Sequence, residues 1–185
     1  MEKIISKRSI EIILIIFIGI RIAFFLLNKI YNMYFLFSNI NQSIINSIVN
    51  ISIIIAIALL LNNKENNVLK YMFNFLVIVG IFSIVAINII ANSDKHYFYF
   101  EAPNKSSTLI VEEESYFFAG WSRFYERKSL FFIKDLKSGI STNDGFKPFS
   151  NNCYQLKWID NTTIELQYNS GSGSKEFEEK TIKIN

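Results

Sequence analysis

The densest group of small polar side chains in the sequence directly precedes the only cysteine. The segment Ser141–Cys153 reads STNDGFKPFSNNC. Hydroxyl, amide and carboxylate groups at this density could bind a ligand, and a nearby tryptophan would add an aromatic platform. The Asp144-Gly145 pair and Pro148 are equally typical of an ordered connection between strands, which we favour. The candidate binding residues are Ser141, Thr142, Asn143, Asp144, Ser150, Asn151 and Trp121.

A second group consists of carboxylates at the end of a predicted strand. Glu112 and Glu114 would share one side of that strand, where a further carboxylate could complete a Ca²⁺ site. The alternative, which we prefer, is a solvated strand end. The acidic residues near the C-terminus similarly predict a solvated edge strand, whose charge discourages pairing with another sheet; they are Glu176, Glu178 and Glu179.

Groups suited to covalent or acid–base catalysis are few. The chain has one His, His96, and one Cys, Cys153. A catalytic His requires a nucleophile and an orienting acid, and the sequence around His96 supplies neither, so we interpret it as an interfacial residue. Cys153 is interpreted as a passive residue. We therefore predict no catalytic residue, no metal site and no cofactor, and an envelope hydrolase using Asp144 is the least favoured reading.

Polar residues also interrupt the apolar part of the chain. Arg21 lies near the middle of the first apolar run, and Asn50 and Asn88 lie in the second and third. A charged group at the centre of a bilayer is costly and usually faces a partner. The alternative is an Arg that extends its guanidinium to the interface, and we favour this snorkelling.

These groups must be positioned by two kinds of structure, of which the first is membrane-spanning. Apolar runs at about 10–30, 44–62 and 71–92 are long enough to cross a bilayer as helices. No cleavage site with small residues follows the first run, so we expect an uncleaved anchor. Basic residues precede the first run and lie between the second and third, which places those segments in the cytoplasm; they are Lys3, Lys7, Arg8, Lys64 and Lys70.

This arrangement predicts a multi-pass protein of the cell membrane, with the lipid bilayer as its first partner. Residues 1–93 form the membrane region, and residues 94–185 form an extracytoplasmic domain. The net charge of +3 comes from the first half of the chain. Because no clustered basic face is present, nucleic acid is not expected as a partner.

The second kind of structure is a β domain. Apolar and polar residues alternate after residue 94, and Asp160-Asn161 predicts a tight hairpin. We expect a small antiparallel sandwich or partial barrel. Its seven predicted strands are Tyr97–Glu101, Thr108–Glu114, Trp121–Glu126, Leu130–Leu136, Cys153–Ile159, Thr163–Tyr168 and Phe177–Ile184.

Three segments of the β domain resemble a known family. They read FEAPNKSSTLIVEE, GISTNDGFKPFSNN and WIDNTTIELQY, and the likeness is confined to residues 98–168. The family is an uncharacterised group of membrane-anchored β domains of unknown function from Gram-positive bacteria. The resemblance implies a β domain beside membrane spans, and it implies no activity, ligand or catalytic residue.

The function hypotheses follow from this organisation. The first is a non-enzymatic membrane protein whose extracytoplasmic β domain binds or senses a partner protein, an envelope component or a small ligand. The alternative is an accessory or structural subunit of a membrane complex, which would contact another membrane or envelope protein through its helices at Arg21, Asn50 and Asn88.

Overall fold

Three long helices form the first part of the fold. The computed structural model describes residues 6–61, 67–171 and 177–184. Helix α1 spans Lys7–Tyr31, α2 spans Gln42–Leu61 and α3 spans Asn67–Asn92. All three are long and apolar enough to cross a membrane, as their hydropathy predicted. They begin a few residues earlier than predicted. Four residues used in the predictions lie outside the described residues: Lys3, Asn62, Lys64 and Glu176.

Most of the remaining described chain forms antiparallel strands in two sheets. The larger sheet has the order β2-β1-β6-β5-β4-β3 and the smaller has the order β7-β8-β9. The predicted fold class, helices followed by a small antiparallel β domain, is confirmed. The strands are β1 Met33–Phe37, β2 Ile40–Asn41, β3 His96–Glu101, β4 Thr108–Tyr116, β5 Ala119–Arg127, β6 Phe132–Asn143, β7 Tyr154–Trp158, β8 Thr163–Tyr168 and β9 Glu178–Lys183.

The chain divides into two compact units. The helical unit contains residues 1–31 and 40–92, and the β unit contains residues 32–39 and 93–185. This division differs from the predicted one at two places, because Asn32–Asn39 and the single residue Ser93 group with the β unit. Within this stretch, β1 is antiparallel to β6, with Tyr34 opposite Ile133. The connection between α1 and α2 therefore contributes a strand to the β unit.

The main core of the β unit lies between the two sheets. Alternation on β4 and β5 turns Leu109, Val111 and Phe124 toward the smaller sheet, where they meet Ile164 and Leu166 of β8. These five side chains have no solvent exposure. Two sheets that share one apolar core form the predicted sandwich.

The opposite face of the larger sheet has a smaller core of its own. Leu36 of β1 packs with Ile110, Tyr125 and Ile133. The hydroxyl of Tyr99 on β3 donates a hydrogen bond at 3.3 Å to the carbonyl of Ser38, which follows β1. Because β1 and β3 lie toward opposite edges of the sheet, this contact shows that the sheet curls toward a partial barrel.

Strand β6 differs most from its predicted extent, and β1 was not predicted at all. The predicted strand Leu130–Leu136 begins at Phe132 and continues to Asn143. Its pairing with β5 shifts register between Arg123 and Tyr125, and Lys137 adopts a φ of 51° there. This bulge breaks the alternation on which the prediction relied, and pairing resumes beyond it. Strand β1 was not predicted, because MYFLF lacks polar alternation.

Candidate functional site

A cluster of four charged side chains, hereafter the charged cluster, lies on the Ile110 face of the larger sheet. Its members are Lys95, Glu112, Glu114 and Arg123. Glu112 and Glu114 share this face because they are two residues apart on β4. Arg123 lies directly opposite Glu112 in the β4–β5 register, so its side chain is on the same face as the two carboxylates. Lys95 precedes β3, the other neighbour of β4.

Ion pairs connect the four members. The ammonium of Lys95 lies 3.3 Å from Glu112 Oε1 and 3.4 Å from Glu114 Oε2. The guanidinium of Arg123 lies 3.7 Å from Glu112 Oε1 and 3.2 Å from Glu114 Oε1. Each cation therefore bridges both carboxylates, which relieves the repulsion between two negative charges on one side of a strand.

Aromatic side chains surround the charged cluster and add hydrogen bonds. The hydroxyl of Tyr97 donates to Glu112 Oε2 at 2.9 Å, and the indole N–H of Trp121 donates to Glu114 Oε1. Burial, followed by the charge of Glu112, raises the pKa of Tyr125 far above its usual range. The nearby carboxylate therefore helps burial to keep Tyr125 in its neutral, protonated form.

The predicted solvated strand end is wrong for these carboxylates. Glu112 is 6% exposed and Glu113 is fully buried. Every oxygen of Glu112 and Glu114 already contacts a cation or a donor of the protein, so a Ca²⁺ ion would have to displace Lys95 or Arg123. Among the described residues, no group of three His, Cys, Asp or Glu side chains is placed to hold a metal ion. The charged cluster can stabilise the sheet and present the half-exposed Arg123.

Glu113 points to the other face and holds the connection between β6 and β7. Its Oε1 accepts the backbone N–H of Phe149 at 2.7 Å, and its Oε2 accepts the N–H and hydroxyl of Ser150 at 2.8 and 2.5 Å. The N–H of Asn151 closes a single helical turn on the carbonyl of Lys147 at 3.0 Å. Glu113 therefore caps the free N–H groups at the start of this turn, as a carboxylate does at a helix N-terminus.

Several predicted binding residues are part of this connection. Ser150 binds Glu113, and the amide of Asn151 donates to Lys147 O at 2.7 Å. The hydroxyl of Thr142 donates to the carbonyl of Phe146 at 2.5 Å, and Thr142 is buried. All three polar side chains make hydrogen bonds within the protein, and they form the ordered connection favoured from the sequence.

The remaining candidates lie at the end of β6. Ser141 is opposite Trp121 in the β5–β6 register, so the structure brings these two predicted residues together. Ser141, Asn143 and Asp144 are exposed, and Trp121 is half-buried. Asp144 and Gly145 both have positive φ, of 51° and 66°, as expected of the predicted turn.

Sequence reasoning did not find the residues that organise this end of the β unit. Asp94 accepts hydrogen bonds from Ser115, and its carboxylate pairs with Lys147. Burial raises the pKa of Asp94, but the hydrogen bonds from Lys147 and Ser115 outweigh it and hold the pKa below its usual value. Lys95 and Arg123 were also missed, although an Arg in the strand following Glu-Glu-Glu was a usable signal.

The polar residues of the helical unit pair with one another across helices. Arg21 donates to the amide oxygen of Asn46 at 3.1 Å, one helical turn before Asn50 on α2. Asn88 of α3 donates to the hydroxyls of Ser43 and Ser47 on α2, at 3.1 and 2.8 Å. Helix α2 therefore offers a polar side chain to each neighbour, which is how polar groups are accommodated between spans.

A second pair of contacts lies near the ends of the helices. The amides of Asn28 and Gln42 exchange two hydrogen bonds, at 3.1 and 2.8 Å. Asn41 donates to the amide oxygen of Asn92 at 2.6 Å. These contacts join α1 to the start of α2, and the residue directly before α2 to the end of α3.

The remaining residues singled out in the sequence lie at the ends of strands, in the core or on an edge strand. His96 is exposed at the first residue of β3, and Cys153 is half-buried directly before β7. Trp158 packs against the main core. The acidic residues Glu178 and Glu179 are exposed on β9, which is an edge of the smaller sheet.

Comparison of the chain with protein-family models, with curated protein sequences and with solved structures gives no match. The fold and the contacts above are therefore the basis for the functional argument.

Proposed function

We propose that this protein is a non-enzymatic, multi-pass membrane protein whose β unit lies outside the cytoplasm and binds or senses a partner. The partner is a protein, an envelope component or a small ligand. The observation that carries the proposal is the pairing of β1 with β6. It makes the connection between α1 and α2 part of the same folded unit as the chain that follows α3.

This pairing supports the topology. If β1 and β3 belong to one folded unit, they lie on one side of the membrane, so the intervening α2 and α3 must cross it an even number of times. Two spans meet this condition. The basic residues at the start of α1, Lys7 and Arg8, favour a cytoplasmic N-terminus, and three crossings then place the β unit outside.

Short connections between helices and strands support a sensing role. Only Asn32 separates α1 from β1, and three residues separate α3 from β3. Linkers this short can absorb little of a ligand-induced shift of the β unit by bending, so we expect the shift to be transmitted to a helix. The charged cluster and the Glu113 contacts also leave no open nucleophile and base among their members, which supports binding in place of catalysis.

The second candidate function is an accessory subunit that acts through its helices. It is favoured by the apolar surface of α3, where Tyr71, Phe75 and Phe82 are each more than 60% exposed. Lipid also covers such a surface in a membrane, and Arg21 and Asn88 already have intramolecular partners. We therefore rank this function second.

Two labelling experiments on the full chain test the proposal. In a Cys153→Ser background, Asn161→Cys should react with a membrane-impermeant maleimide on intact cells, and Arg8→Cys should react only after permeabilisation. The reverse pattern would refute the topology.

Photo-crosslinking in cells then distinguishes the two functions. A crosslinking amino acid is placed at Gln155 or Lys157 of the β unit, or at Phe75 or Phe82 of α3. Specific adducts from the β positions support the binding function, adducts from α3 alone support the accessory subunit, and adducts from neither contradict both.

A further inference from the structure

The hairpin between β4 and β5 ends in three exposed aromatic side chains, hereafter the aromatic tip, which consists of Tyr116, Phe117 and Phe118. Their exposures are 59%, 81% and 79%. Phe117 and Phe118 are the most exposed large apolar side chains among the described residues. Contiguous exposed aromatic surface of this kind marks a contact with a partner or a membrane.

The aromatic tip lies at the end of the larger sheet where the chain arrives from α3. Strand β3 begins at His96, which is opposite Glu113 on the antiparallel β4. Strand β4 then continues to Tyr116, so the hairpin projects about 10 Å past His96, at roughly 3.3 Å per residue. Chain direction and register therefore place the aromatic tip beside the segment that joins α3 to β3.

A direct contact fixes this arrangement within the β unit. Asp94 is two residues after the end of α3, and its carboxylate accepts the N–H of Ser115 at 2.9 Å and the hydroxyl of Ser115 at 2.6 Å. Ser115 immediately precedes the aromatic tip. The base of the hairpin is therefore joined to the residue that follows the last span.

The backbone of the aromatic tip is held in a costly conformation. Phe117 has a φ of 53°, in the left-handed region that bulky residues rarely adopt. A Cβ on Gly145 would lie 2.9 Å from the carbonyl of Phe117, so the turn after β6 is pressed against the tip. An aromatic residue at a position where Asn or Gly would be less strained is typical of a functional site.

The composition of the hairpin end suits a lipid interface. The sequence Ser115–Gly120 reads SYFFAG and has no charged side chain. The charges closest in the chain, those of Glu114 and Arg123, pair with each other, and Asp94, which contacts Ser115, pairs with Lys147. Aromatic side chains partition into the interface between headgroups and acyl chains, and an uncharged segment enters it at low cost.

We propose that the aromatic tip inserts into the interfacial region of the bilayer that α3 crosses, so that the β unit is attached to the membrane surface by a lipid contact in addition to its covalent connections. This inference rests on the proposed membrane function, because it requires α3 to span a bilayer. The STNDGFKPFSNNC segment then supports the tip, through Gly145 beside Phe117 and through Lys147 on Asp94.

Spin labelling of the full chain tests the proposal in nanodiscs of phosphatidylcholine and phosphatidylglycerol. In the Cys153→Ser background, nitroxides are attached at Phe118→Cys, at Asn161→Cys in the turn before β8, and at Ile87→Cys on α3. Asn161 is the matched water-exposed control, because its carbonyl accepts Ser107 at the opposite end of the sheet. Collision of the Phe118 nitroxide with a water-soluble nickel chelate should be several-fold lower than that of the Asn161 nitroxide, and collision with oxygen should be several-fold higher.

The Ile87 label distinguishes failure of the inserted aromatic tip from failure of the proposed membrane function. A lipid-accessible Ile87 nitroxide with a water-accessible Phe118 nitroxide would overturn the inserted tip and leave a protein partner as its occupant. A water-accessible Ile87 nitroxide would refute the proposed function itself. Hydroxyl-radical footprinting of the unmodified chain in the same nanodiscs needs no substitution: Phe117 and Phe118 should oxidise several-fold more slowly than the less exposed Phe131, and equal or faster oxidation would overturn the proposal.

Discussion

Asp94 and Ser115 are joined by two hydrogen bonds, from the backbone N–H and from the hydroxyl of Ser115, at 2.9 and 2.6 Å. Lys147 pairs with the same carboxylate. One side chain therefore connects the segment after α3, the base of the β4–β5 hairpin and the connection before β7. A carboxylate with three donor groups of this kind is stabilised in its charged form.

Replacement of Asp94 by Asn should destabilise the β unit in a pH-dependent manner. The hydrogen bonds from Lys147 and Ser115 outweigh burial and hold the pKa of Asp94 below 3.8, its ordinary value. A carboxyl group whose pKa is lowered by folding stabilises the fold above its unfolded pKa, and this contribution is lost as the pH falls through the folded pKa. Thermal unfolding of Asp94→Asn in detergent should occur at a lower midpoint than wild type at pH 7, and the difference should narrow below about pH 4.

Lys147→Gln provides the matching control for Asp94, because it removes the cationic partner and keeps the carboxylate. Its midpoint should also be lowered at pH 7 and should approach that of wild type at acidic pH. A midpoint difference for Asp94→Asn that is constant between pH 7 and pH 3 would show that its charge is not what stabilises this region.

Glu113→Gln should release the connection between β6 and β7. The fully buried carboxylate accepts three hydrogen bonds from Phe149 and Ser150. A Gln side chain would direct its own NH₂ group at one of these donors, and a buried donor without an acceptor costs about 1–3 kcal/mol. Hydrogen exchange at Phe149 and Ser150 should accelerate strongly, and the thermal midpoint should fall.

The control for this prediction is Glu101→Gln, which changes the same group at an exposed position at the end of β3. It should leave exchange at Phe149 and Ser150 unchanged. If Glu113→Gln exchanges these amides no faster than Glu101→Gln does, the buried carboxylate does not hold the connection.

Gly120→Ala should disturb the aromatic tip by forcing apart β5 and the turn after β6 that packs against the tip. A Cβ at Gly120 would overlap the hydroxyl oxygen of Thr142 and would lie 2.5 Å from the carbonyl oxygen of Phe146, which is backbone and cannot rotate away. Overpacking of this kind costs about 1–3 kcal/mol. The midpoint of the β unit should fall accordingly, and Gly80→Ala in α3, where a Cβ meets nothing within 4 Å, should have no such effect.

The features that the sequence predicted well were those set by short-range patterns. Each span was visible because its apolar run is as long as a bilayer is thick. Strands β7 and β8 were visible because Tyr154, Leu156 and Trp158 alternate with polar residues, and Asp160 makes the hairpin between them by accepting the N–H groups of Thr162 and Thr163. These signals lie within a few neighbouring residues.

The features that the sequence predicted poorly depend on pairing between segments that are far apart in the chain. Glu113 is buried because Phe149 and Ser150, 36 and 37 residues later, supply its donors. Ser141 and Thr142 were placed in a loop, yet β5 pairs with them in register beyond the bulge. No local pattern records such partners, so the candidate site was predicted in composition but not in geometry.

Strand β1 is the feature on which the topology depends most, and Leu36→Ala tests it. Leu36 is 4% exposed and packs with Ile110, Tyr125 and Ile133 in the smaller core. Truncation of a buried Leu leaves a cavity and costs about 2–5 kcal/mol. Because β1 belongs to the β unit, the loss should appear as faster hydrogen exchange across β6, and exchange in α2 should remain unchanged.

Phe37→Ala is the matched control for Leu36→Ala. Phe37 is the next residue of the same strand and is 42% exposed, so its truncation should perturb β6 far less. Equal exchange of β6 in Leu36→Ala and wild type would mean that the connection between α1 and α2 does not stabilise the sheet, and the argument that places both connections on one side of the membrane would fail with it.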